Sequence, residues 1–243
     1  MIVQACLNGA RPAAYHSALP LTADAIAADA ATCVAAGAAE LHLHPRGLNG
    51  QQSLSPAVVD ATVLAVRRAC PGTLVGVSTG AWIEGHADQT LACIEGWREP
   101  PDYASVNLSE PSAPAVVERL WRHGVGVEAG LASVADAERL VALGLGPRAL
   151  RILIEIEEQD EAKALAVGDG IEAVLARARL CRPLLLHGLD ATVWRFVARA
   201  AERRFSNRVG LEDGCSLRDG STAPGNAALV AAAAALFAGS RHS

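Results

Sequence analysis

Residues 40–68, ELHLHPRGLNGQQSLSPAVVDATVLAVRR, read as one complete strand, loop and helix. The opening run alternates: successive side chains of a strand face opposite ways, so His42 and His44 share one face while Leu41 and Leu43 pack on the other. Pro45 lacks a backbone donor and ends the run. Ser55 suits a helix N-cap and Pro56 the first turn, where a missing N–H costs nothing. Outward from this unit, a short β-branched run followed by a longer Ala-rich run at helical spacing repeats eight times along the chain. Strands are predicted at 2–7, 40–44, 74–78, 103–108, 126–128, 151–156, 183–187 and 207–211, and helices at 23–36, 56–68, 87–97, 113–123, 134–143, 161–179, 191–201 and 224–237. Thr22 precedes an acidic first turn at Asp24, and Gly37, Gly124 and Gly144 suit helix ends that need a relaxed backbone.

Parallel strands joined by crossover helices make an α/β protein, either a closed barrel or an open doubly wound sheet. The turn after 2–7 has no GxGxxG pattern, no Walker loop occurs, and eight units favour closure. The 243 residues approach the about 250 usual for a (β/α)8 TIM barrel. No linker divides them, so the expectation is one such barrel occupying 1–243 as a single domain, with the Gly/Ser/Asp-rich stretch 213–222 as a flexible loop on the active face.

Composition narrows the function. Apolar residues make up 51% and aromatics only 4%, so the core must be built from Ala, Leu, Val and Ile. A net charge of -5 with scattered arginines argues against a nucleic-acid partner. The six cysteines form no CxxC and fit reduced thiols in a cytoplasmic protein. The chain opens on an apolar strand pattern without a basic leader, and the apolar run 229–239 is too short to span a bilayer, so no membrane partner is expected. Trp97, Trp121 and Trp194 lie in amphipathic runs and are expected to pack helices or a subunit contact; His86, His123 and His242 have no partner recognisable in sequence.

The residues able to carry chemistry fall at predicted strand ends, the rim where barrels of this kind collect reacting groups. Paired imidazoles at 42 and 44 suit zinc or another borderline metal, although an alternating strand can also carry histidines that are merely solvated or hydrogen-bonded. Arg208-Val209-Gly210-Leu211-Glu212-Asp213 ends another strand in two carboxylates beside an arginine. In a closed barrel strand eight neighbours strand one, which lets Glu212 approach the histidine pair. Arg208 and Asp213 are either an ion pair that orients or activates substrate or a rim salt bridge, and Gly210 permits close backbone approach. His187 ends PLLLHG near the same mouth, either as a substrate or carboxylate contact or as a buried histidine satisfied locally.

These motifs together resemble the β-keto acid cleavage enzymes, the group that includes 3-keto-5-aminohexanoate cleavage enzyme. The resemblance runs through ACLNGARP, HLHPRG, VSTG at 77–80, ASVNLS at 104–109, VEAG at 127–130 and RVGLEDG at 208–214. It implies zinc ligation by His42, His44 and Glu212, and an Arg208–Asp213 pair that assists proton abstraction. It also implies Ser78 and Glu128 in the substrate pocket. Ser78 or Thr79 would then donate a hydrogen bond to substrate, with Asn107 at its own strand end beside them. The implied reaction condenses a small β-keto acid with an acyl-CoA, typically acetyl-CoA, to give acetoacetate and a new acyl-CoA, in a homo-oligomer, a tetramer by the family's pattern. A metal-dependent hydrolase or lyase of another small carboxylate, and a noncatalytic metabolite-binding barrel, are the competing readings. Where the family carries further glycines after STG this chain has Ala81-Trp82-Ile83, and Arg46-Gly47 follows the histidine strand in place of Arg-Asp; both departures bear on substrate size and CoA placement.

Overall fold

The structure, a computed structural model, describes residues 1–239; His242 lies outside them. Eight parallel strands alternate with eight helices: β1 (Val3–Cys6), α1 (Ala23–Ala35), β2 (Glu40–Leu43), α2 (Pro56–Ala69), β3 (Leu74–Ser78), α3 (Ala87–Gly96), β4 (Tyr103–Asn107), α4 (Ala113–Arg122), β5 (Gly126–Leu131), α5 (Val134–Ala142), β6 (Arg151–Ile156), α6 (Glu161–Arg177), β7 (Leu184–Gly188), α7 (Val193–Arg203), β8 (Asn207–Val209) and α8 (Asn226–Gly239). Sheet order runs β7-β6-β5-β4-β3-β2-β1-β8, so the last strand pairs with the first. The seam between β7 and β8 is closed by a parallel bridge from Leu185 to Ser206, whose neighbouring amides bond at 2.9 Å. This is the (β/α)8 TIM barrel that the eightfold alternation predicts.

Local chemistry explains many of the boundaries. Thr22 accepts the Ala25 amide at 3.2 Å and starts α1, Ser133 and Asp136 form a reciprocal capping box on α5, and Asp160 caps α6 through the Lys163 amide. Ser55 makes no side-chain cap bond, so the entry to α2 rests on Pro56. The predicted strand at 126–128 runs on to Leu131, and the one at 207–211 ends at Val209, because Gly210 begins the turn that carries Glu212. A Cβ on Gly210 would stand 1.9 Å from the Cys6 carbonyl oxygen; only glycine lets this turn lie against the end of β1.

Alternation along the strands sorts the side chains into two compartments. Leu41, Leu43, Val75, Val77, Val106, Ile152 and Ile154 face outward and form the apolar core with helix residues such as Val63, Ile94, Val117, Leu140 and Phe196. Their strand neighbours face into the barrel, and there the filling is largely polar: Gln4, His42, Ser78, Ser105, Glu128, Arg151, His187 and Arg208 are all buried. Trp97 is buried and donates to the Leu54 carbonyl, while Trp121 stacks under Arg148, so both serve helix packing. No helix among the described residues is long and apolar enough to cross a membrane.

Candidate metal centre

His42 stands in β2 and His44 immediately beyond it, both buried and on the same inward face. Their Nε2 atoms approach to 3.3 Å, and Glu212 Oε1 lies 3.7 Å from the first and 3.4 Å from the second. A tetrahedral ion with bonds of about 2.0–2.1 Å holds its donors about 3.3 Å apart. Three donors at this mutual spacing therefore fit a single divalent cation, and the three residues make a group that could hold one. The other oxygen and ring nitrogen, Glu212 Oε2 and His42 Nδ1, are buried with no hydrogen-bond partner among the described residues.

The protonation chemistry suits ligation. Burial pushes the His42 imidazole down to about 3, so it is neutral and can offer a lone pair. Burial pushes the Glu212 carboxyl up, but Arg208 and the two histidines outweigh it and hold the group well below the usual carboxylate range. Two devices aim His44: its backbone amide donates to Asn8 Oδ1 at 2.9 Å, and its Nδ1 meets Gln52 Oε1 at 2.5 Å. Glu212 is placed by the close approach of the β8 turn to β1, by Gly9, whose Cα lies against its side chain, and by Arg11, which bonds its carbonyl at 3.0 Å.

Behind the three donors lies a charged cluster. Arg208 is fully buried and donates to Glu212 Oε1 at 2.5 Å and to Asp213 Oδ1 at 3.2 Å, with Glu155 Oε2 at 3.9 Å. His187 bridges Asp213 and Glu155, its Nδ1 3.4 Å from Asp213 Oδ1 and its Nε2 3.1 Å from Glu155 Oε2. Burial opposes ionisation of Glu155, yet the His187 hydrogen bond and charge, with Arg208, hold its carboxyl at about 2. Burial and Arg208 depress His187, but Asp213 and Glu155 raise it above its ordinary value.

The donors open into a cleft of about 450 Å³ at the barrel mouth, a size suited to a small molecule. Ser78, Asn107, Arg208, His42, His44 and Glu212 line it, as do Ser105, Leu153, Glu155, Trp82, Arg11 and Asp190. Thr79, His187, Asp213 and Glu128 do not. The Thr79 hydroxyl donates to the Ser105 carbonyl at 2.7 Å, Asp213 and His187 stand behind Arg208 and Glu155, and Glu128 lies deeper, paired with Arg151 at 2.8 Å. Sequence reading passed over Gln52, Glu155 and Arg11. Glu155 carried a usable signal, since it is the inward-facing residue two beyond Leu153, at the end of a strand whose middle, Ile152 to Ile154, is apolar; Gln52 and Arg11 sit in loops, where no periodicity marks them.

Comparison with known proteins adds to this geometry. Solved structures share the fold: ObcA in a binary complex with oxaloacetate (TM-score 0.74, 17% identity, 91% of this chain and 64% of ObcA covered) and ObcA in a ternary complex with C4-CoA adduct and oxalate (0.74, 18%, 91% and 64%). A third is 3-dehydroquinate dehydratase from Geobacillus kaustophilus HTA426 (0.66, 11%, 99% and 91%). The chain thus spans less than two thirds of the length of ObcA. No curated protein matches the sequence. The model of the beta-keto acid cleavage enzymes matches residues 1–123 and 161–241. The first stretch carries His42 and His44 and the second carries Arg208, Glu212 and Asp213, and on a match of this extent the chain belongs to the beta-keto acid cleavage enzyme family.

Proposed function

We propose that the barrel mouth exchanges acyl groups between a small β-keto acid and an acyl-CoA. With acetyl-CoA, RCOCH2COO⁻ and CH3CO-SCoA give acetoacetate and RCO-SCoA. The observation that carries this reading is the convergence of His42, His44 and Glu212 at ligand spacing beside the Arg208–Asp213 pair, in a chain of this family. Two imidazole nitrogens and one carboxylate favour zinc as the ion. Bound there, it would supply Lewis acidity toward a keto oxygen.

The chain's own side chains supply the rest. Ser78 and Asn107 face the cleft and hydrogen-bond the substrate; Arg208 adds a cation for its carboxylate. Arg208, which lines the cleft, donates to Asp213 Oδ1 behind it, and the pair draws a proton from a substrate carbon and passes it toward that buried carboxylate. His187, placed between Asp213 and Glu155, steadies that carboxylate from behind. Thr79 holds the adjoining β4 carbonyl, and Glu128 supports Arg208 electrostatically from below. The complexes of ObcA with oxaloacetate and with a C4-CoA adduct support a small keto acid and a CoA thioester as partners. The same reading includes a homo-oligomer, a tetramer on the family's pattern, in the cytoplasm, where six unpaired thiols are at home.

The test is a screen of β-keto acids with acetyl-CoA, reading acetoacetate and new CoA esters together. Turnover that needs no CoA would replace this reading with a metal-dependent hydrolase or lyase, and bound metal without turnover would leave a metabolite-binding barrel. Asp213→Asn is expected to keep its metal and lose about a hundredfold or more in kcat, the scale of a general base. Metal analysis beside steady-state kinetics separates the two effects.

A further inference from the structure

Of the two imidazoles at the centre, only His44 has an acceptor on its other ring nitrogen: Gln52 Oε1 stands 2.5 Å from His44 Nδ1, whereas His42 Nδ1 has no hydrogen-bond partner among the described residues. We propose that Gln52 is a positioning residue of the metal centre, its amide oxygen fixing His44 in the tautomer that points a bare Nε2 at the ligand position. An amide oxygen accepts and cannot donate, so His44 Nδ1 must carry the hydrogen. A neutral imidazole protonated at Nδ1 leaves Nε2 with its lone pair, and Nε2 is the atom that faces His42 and Glu212.

The loop after β2 is built to hold that amide in place. Arg46 and Gln52 form an antiparallel bridge, the Gly47 amide bonds the Gln51 carbonyl at 2.9 Å, and the Ser53 amide bonds the Pro45 carbonyl at 2.9 Å. Arg46 fastens the loop to its neighbour by donating to the carbonyls of Gly9 and Arg11, each at 2.8 Å. Gln52 therefore arrives on a pinned hairpin, and the rotamer of His44 is set before any ligand is present. The uncharged amide orients the ring without adding a second negative charge beside Glu212, which leaves a bound ion more electrophilic than a carboxylate partner would.

This inference rests on the metal reading above, and its test separates the two. The purified chain is stripped of metal and titrated with zinc against a chromophoric chelator, alongside Gln52→Leu and Gln52→Glu. The leucine variant is expected to bind zinc about ten- to a hundredfold more weakly, the usual effect of losing a partner of a ligating histidine. The glutamate variant, which keeps an acceptor, should bind at least as tightly as wild type. Nitrogen NMR of the metal-free wild type should find His44 protonated at Nδ1, and this holds even if Gln52→Leu fails to fold. Equal affinity in a folded Gln52→Leu, or a wild-type His44 protonated at Nε2, overturns the proposal alone. A wild-type chain that binds no divalent ion overturns the functional reading and this one with it.

Discussion

The barrel interior holds two clusters of buried polar side chains, one at the mouth and one at the floor, and they meet their charges differently. At the floor, Arg151 pairs with both Glu40 and Glu128 and lies 5.0 Å over the Tyr103 ring. Gln4 donates to Tyr103 Oη at 2.8 Å and to Glu128 at 3.2 Å, and the Tyr103 hydroxyl donates onward to the Leu41 carbonyl. Every charge there faces an opposite charge. At the mouth, two imidazole nitrogens and a carboxylate oxygen converge, and among the described residues Arg208 is the one cation that donates to them. Three ligand atoms converging at this spacing suit a cation. Burial of polar groups is common to both clusters, so burial alone does not mark function; what separates them is whether the protein can satisfy the cluster by itself.

The sharpest way to break this contrast is to remove a donor at the mouth. His42→Ala or Glu212→Gln should weaken metal binding by well over about a hundredfold, beyond the loss caused by removing a supporting partner, and abolish turnover with the fold kept. Unchanged metal content in both variants would erase the distinction. At the floor the expected injury is to stability instead. Arg151→Met leaves the buried Glu128 and the partly buried Glu40 without their cation and should cost about 3–5 kcal/mol in denaturant unfolding, with the metal per folded chain unchanged. Adding Glu40→Gln and Glu128→Gln should recover much of that loss, since the penalty lies in the unpaired charge.

A smaller effect concerns Glu155, which stands on the mouth side. Its carboxyl is held at about 2, below the ordinary 4.5, so its ionised form favours folding. That contribution is fully present above pH 4.5 and is lost as pH falls toward 2. Glu155→Gln should therefore be less stable than wild type by up to about 3 kcal/mol near neutrality, with the gap closing as pH falls through that window. Unfolding curves at pH 6 and pH 3 would read it, and a gap that widens with acid would contradict the assigned charge. His187 works in the opposite sense: with its imidazole raised, its contribution is present below 6.5 and lost as pH rises through the folded value.

The histidine pair was legible in ELHLH because a strand repeats every two residues, whatever surrounds it, and the eight βα units were legible because strand and helix periods are both properties of the local backbone. Gly210 was readable as a point of close approach, and the structure supplies the partner, the Cys6 carbonyl. The sequence by itself therefore determined the strand and helix order, the inward face of each strand, and the candidates at the rim. Tertiary structure alone decided which of those candidates open to the cleft. It drew Asp213 and His187 behind Arg208, set Glu155 in front of them, and gave the Thr79 hydroxyl to a backbone carbonyl. It also brought Gln52 to His44 through a loop with no periodic signature. The physical reason is that side-chain direction follows from the nearest few residues, whereas convergence at the mouth follows from closing β8 onto β1 and from loops whose shape is set by contacts far away in the chain.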